Sequence, residues 1–186
     1  MKKDPVIKQH ARPIDDDNVS FRPGHENRLR YSHLFAQVGM IATSYCEMEQ
    51  ELAFFCAYLL GQRDPPEGFG HPVDPVAIEI FNGMHSRAPQ RKFLNALIGS
   101  RIGDSNWDPI KEMWAAIENA AVDRNFLMHT PLRVSESYPD SLIASPLEGD
   151  SYEIDSKMLD LVIEEIAVAH KAIHVAWQEA RKKLNA

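Results

Sequence analysis

Arg124, Asn125 and His129 stand within six residues of one another, two positions before Pro131. The set joins a permanent cation, a side-chain amide and an imidazole, and that combination suits chemistry on a phosphate. A guanidinium presents a fork of N–H donors to phosphoryl oxygens, and an imidazole gives or takes a proton near neutral pH. On a helix, Asn125 and His129 are four apart and share a face, whereas Arg124 and His129 are five apart and lie about 140° from each other around the axis. Convergence then requires an unwound last turn before Pro131, or a second copy of the helix across a two-fold axis. The same residue types also suit an ordinary helix carboxyl terminus, where cations interact with the dipole and Asn helps to end the helix. Against that plainer use stands Arg124 itself. It falls on the apolar stripe Ile110, Trp114, Ile117, Ala121, Arg124 and Met128, where a guanidinium must be paired or face a cleft.

Glu49, beside the apolar stripe of an earlier helix, is the candidate carboxylate for Arg124, with Glu47 and Glu51 on flanking faces. Arg87, Arg91 and Lys92 form a basic cluster that could hold a phosphate backbone, or simply a solvated helix face. His170 and His174 have a zinc-compatible spacing, but no Cys or third His is placed to complete a site, so no metal and no cofactor are expected. Cys46 and Cys56 are ten apart in one helical segment, hence roughly 15 Å apart, too far for a disulfide. Trp107, Trp114 and Trp177 lack the basic interleaving of base-stacking platforms and read as core or interface anchors.

The chain has 186 residues, 44% of them hydrophobic, enough for one globular domain with a core. Its net charge of -7 argues against a broad electrostatic footprint on nucleic acid, so no DNA binding is expected and any RNA or nucleotide contact should be local. Met1 to His10 lacks the apolar core of a secretory signal, and the longest apolar run, Leu52 to Leu60, is far shorter than a membrane span. A soluble cytoplasmic protein with no membrane contact is expected.

Residues 1–24, with Pro5, Pro13, Pro23 and the run Asp15-Asp16-Asp17, read as an extended, poorly ordered or wrapping arm. Residues 25–186 read as one helical domain. Leu34, Val38, Ile41, Tyr45, Met48, Leu52, Phe55 and Leu59 mark a long first helix ended by Gly61. A loop over Gln62 to Asp74 follows, then a short helix capped by Asp74-Pro75 and reaching Met84, and another from about Pro89 to a stop at Gly99 or Gly103. Asp104 or Ser105 can cap the motif-bearing helix, which Pro131 should end at about His129. Leu132-Arg133-Val134 and Leu142-Ile143-Ala144 fit a hairpin turning at Tyr138-Pro139-Asp140. A last helix spans roughly Ser156 to Leu184. The expected fold is all-α, a bundle of about five helices with a small β-hairpin between the last two long helices.

With this layout and the Arg124-Asn125-x3-His129 motif, the chain resembles the HEPN superfamily of helical bundles, over about residues 28 to 184. The resemblance implies a metal-independent endoribonuclease, a homodimer with two motifs facing each other, with a role in stress or phage defence. It further implies His129 as general acid or base for attack of the ribose 2′-hydroxyl, Arg124 as the neutraliser of phosphate charge, and Asn125 as an orienting or phosphate-binding amide. Glu49 would support Arg124. HEPN toxins paired with a nucleotidyltransferase antitoxin often carry tyrosine two residues past the motif histidine, where this chain has Pro131, so the likeness is to the superfamily and not to that subgroup. Many HEPN-like bundles are catalytically silent and bind a nucleotide or a protein, which is the alternative function.

Overall fold

The computed structural model describes residues 5–14, 29–60, 75–104 and 107–185. Outside them lie the expected acidic run at 15–17, Pro23, the Gly61 stop, the loop over 62–74 with its Asp74 cap, and the Ser105 cap. In chain order the elements are α1 (Val6–His10), β1 (Pro13–Ile14), α2 (Ser32–Leu59), α3 (Pro75–Asn82), α4 (Arg87–Ile102), α5 (Asp108–His129), β2 (Leu132–Ser135), β3 (Tyr138–Ala144), β4 (Ser151–Asp155) and α6 (Ser156–Leu184). The molecule is mostly helical, as expected, but the minor β element is a four-stranded antiparallel sheet in the order β1-β4-β3-β2 rather than a lone hairpin. The chain falls into two compact units, Met1–Cys46 with Ile117–Ala167 and Glu47–Ala116 with Val168–Ala186.

In the first unit the buried residues include Leu34, Ile41, Tyr45, Ile117, Ala120, Leu127, Leu142, Ile143, Ile154, Leu159 and Ile166. The helical ones recur at three- and four-residue steps, so each helix turns one stripe inward. The stripe of α5 differs from expectation. Met113, Ala120, Asp123 and Leu127 are buried, while Ala121, Arg124 and Met128 are only half-buried, so Arg124 sits at the edge of the stripe and Asp123 within it. A buried carboxylate needs a donor, and Asp123 Oδ1 accepts the Ile7 backbone N–H at 3.1 Å.

That bond holds the amino terminus against α5. Where the sequence reads as an arm, Val6–His10 is helical, Ile7 is 1% exposed, and Pro13–Ile14 pairs with Tyr152 and Ser151 of β4. The hairpin strands lie where expected, but the turn is Glu136–Ser137, and Ser137 N–H donates to Ser135 Oγ at 3.2 Å. Pro139 falls inside β3, opposite a register shift between Arg133 and Ser135, where a missing N–H leaves no gap in the ladder. Strand β4 was not expected. Five residues with Glu153 and Asp155 among them give little apolar alternation, and Asp155 at its end caps the next helix by accepting Met158 N–H at 2.9 Å.

In the second unit, α2 and α6 run side by side in the same direction: Glu51 meets His170, and Phe55 stacks on Trp177 at 6.0 Å between centroids. All seven apolar positions expected on the last helix, from Leu159 to Ala180, are buried, and its bounds agree with the sequence. Gly103 ends α4 at φ 84°, a left-handed conformation that favours glycine, with its N–H on the Gly99 carbonyl. Helix α5 begins at Asp108, later than the expected cap, with Trp107 O accepting from Ile110 and Lys111.

Candidate functional site

Helix α5 stays helical through His129, and the Thr130 N–H still reaches the Phe126 carbonyl at 3.0 Å. Pro131 then turns the chain into β2, and its carbonyl accepts the Ser145 N–H at 3.0 Å, which ties the corner to the sheet. No turn unwinds to bring Arg124 round to His129. Asn125 makes the link instead. Arg124 Nη1 donates to Asn125 Oδ1 at 3.0 Å, and Asn125 shares the exposed face of α5 with His129. The Asn125 carbonyl is therefore used on Arg124, which leaves its amide N–H groups to donate elsewhere.

The guanidinium lies over the Tyr45 ring, its Cζ 5.2 Å from the centroid. Glu49, the expected partner, is bound to Arg87. A ring face stabilises a desolvated cation by about 0.5–2 kcal/mol without bringing in a second charge that must itself leave water. Arg124 Nε is buried and has no hydrogen-bond partner among the described residues. A buried N–H left unmet costs about 1–3 kcal/mol, comparable to or larger than what the ring returns, so the arginine carries an unfilled donor shielded from solvent. His129 is exposed and makes no side-chain hydrogen bond among the described residues.

The other candidates are engaged or solvated. Arg87 donates to Glu49 Oε1 at 2.8 Å and to Gln90 Oε1 at 3.1 Å, so it is tied into the second unit. Arg91 and Lys92 are exposed on α4. His170 Nδ1 donates to Glu51 Oε2 at 3.0 Å, and His174 Nε2 accepts from Gln178 at 2.7 Å. No group of three or more His, Cys, Asp or Glu among the described residues is placed to hold a metal ion. Among the described residues no helix is long and apolar enough to cross a membrane.

Sequence reasoning missed the role of Tyr45, which it counted only as one more apolar stripe position. It also missed Lys8, whose Nζ lies 5.5 Å from the Phe126 centroid and 5.6 Å from that of Tyr152. The signal for Tyr45 was available, because a tyrosine on a buried stripe offers a ring face to a cation; the contact of residue 8 with residues 126 and 152 left no trace in local spacing. The comparisons with family models, with curated proteins and with solved structures find no match to this chain.

Proposed function

We propose that this chain is a HEPN-like, metal-independent endoribonuclease with Arg124, Asn125 and His129 as its site. The observation that carries the proposal is the unmet Nε–H of Arg124, held on Tyr45 and bridged by Asn125 to the face that bears His129. When the guanidinium moves off the Tyr45 ring and exposes this buried donor, a phosphoryl oxygen that meets it recovers about 1–3 kcal/mol of unmet hydrogen bonding and gains a charge-assisted bond. Arg124 then offsets the charge that develops on phosphorus, the Asn125 amide donates to a second oxygen, and His129 transfers the proton. The 2′-oxygen attacks phosphorus and the bond to the 5′-oxygen breaks. The products are a 2′,3′-cyclic phosphate end and a 5′-hydroxyl end. The resemblance supports a homodimer, in which a second His129 supplies the complementary proton transfer.

Incubation of the protein with a mixed RNA pool in EDTA, followed by mapping of the ends, tests the proposal. Cyclic phosphate and 5′-hydroxyl ends at discrete positions are expected; an intact pool contradicts catalysis. One observation favours a second reading, a catalytically silent nucleotide- or protein-binding module. Among the described residues no side chain hydrogen-bonds to His129 to orient it, as a catalytic imidazole usually is oriented. On that reading the pool stays intact while a nucleotide or a protein is retained.

A further inference from the structure

Phe126 lies one residue past Asn125 and three before His129, so the two leave neighbouring positions on α5, with about 5–6 Å between Cβ atoms. Tyr152 meets it edge to face, with centroids 6.1 Å apart, and both rings are half-buried. Tyr152 projects from β4 in one cross-strand row with Pro13 and Ala144, so both immediate neighbours in that row are small. The exposed Lys8 places its ammonium over both rings. Ile7, beside it, is fixed by burial and by Asp123 on α5, so the cation is delivered to the motif helix by an anchored segment.

We infer that Lys8, Phe126 and Tyr152 form a nucleotide subsite beside His129, which takes the residue of a single-stranded RNA next to the cleaved bond. This rests on the ribonuclease proposal and names how its substrate is held. The base stacks on the Tyr152–Phe126 pair, and Lys8 swings from the rings to the adjoining phosphate. The exchange is downhill, because an exposed cation–π contact is weak while a charged hydrogen bond to phosphate is about twice as strong as a neutral one. Stacking is sequence-tolerant, so the subsite selects unpaired RNA rather than a particular base. It also gives an acidic chain a local cationic contact in place of a broad basic face.

The probe is a labelled 2′-O-methyl oligouridylate, which offers no 2′-hydroxyl for attack, titrated against the full chain at several salt concentrations. Tyr152→Leu should weaken binding at least about fivefold, and Tyr152→Phe should restore it. Lys8→Met should lower the slope of log affinity against log salt by about 0.7, the loss of one phosphate contact on a single strand. Lys8 is exposed, so this variant keeps the fold even if Tyr152→Leu perturbs the sheet. If wild-type protein cleaves RNA but Lys8→Met and Tyr152→Leu bind the oligonucleotide as it does, the subsite is wrong and the ribonuclease proposal stands. If wild-type protein neither cleaves RNA nor binds the oligonucleotide, both fall.

Discussion

Arg87 and Arg124 are both half-buried arginines on helices, one in each compact unit, yet their surroundings differ. Arg87 meets a carboxylate and a side-chain amide oxygen, and nearby Glu51 takes His170. Among the described residues Arg124 meets a ring face and one amide oxygen, and its Nε–H is left over. Charges that satisfy one another describe a held structure, whereas a desolvated cation with a spare donor describes capacity for a ligand. The proposed function builds on that difference, with chemistry at the end of α5 and a structural role for the cluster around Glu49.

The largest expected effect separates the two arginines directly. Arg124→Ala and His129→Ala should each lower RNA cleavage by about 10²–10⁴-fold with an unchanged circular-dichroism spectrum. Cleavage by Arg87→Ala within about threefold of wild type sharpens the contrast; a loss as deep as that of Arg124→Ala breaks it. Next in size is the anchor of the amino-terminal helix. Asp123→Ala strands the Ile7 N–H and should cost about 1–3 kcal/mol in urea unfolding, while Asp123→Asn keeps an acceptor oxygen and should cost less. Smaller still, Arg87→Ala should cost no more than about 1 kcal/mol, because Glu49 is 46% exposed and water screens the pair.

The cysteines give the smallest effect near neutrality. Cys46 is exposed and should react with a thiol reagent in the native protein, whereas Cys56 should react only after unfolding. Burial pushes the Cys56 thiol from its usual 9.0 up to about 12. Below pH 9 both the folded and the unfolded chain keep the thiol, so stability is unaffected. Between about pH 9 and 12 only the unfolded chain ionises, and stability should fall as pH rises, a loss that Cys56→Ala removes.

Residues with a local signature were legible in the sequence. The stripes of α2 and α6 repeat over many turns, so burial of Leu34, Met48, Leu52, Ile166 and Ile173 followed from period alone. Pro131 fixed the end of α5 at His129 because proline restricts the residue before it. Strand β4 and helix α1 were not legible, since β4 is five residues with little apolar alternation and α1 is five residues held by Asp123 far along the chain. The same holds for the site: the motif triad was visible as a spacing, but Tyr45 under Arg124 and Lys8 over Phe126 are contacts across 79 and 118 residues. Glu49 misled because proximity to a stripe says nothing of which cation reaches it first.

The central claim is that the Arg124 Nε–H is reserved for a phosphate. Nitrogen-detected or proton–nitrogen spectra of the arginine Nε–H groups test it most directly, recorded while a 2′-O-methyl RNA is added. One resonance, absent from Arg124→Lys protein, should shift strongly on addition while that of Arg87 stays in place. An Arg124 resonance that does not move, or one that moves no more than that of Arg87, contradicts the account.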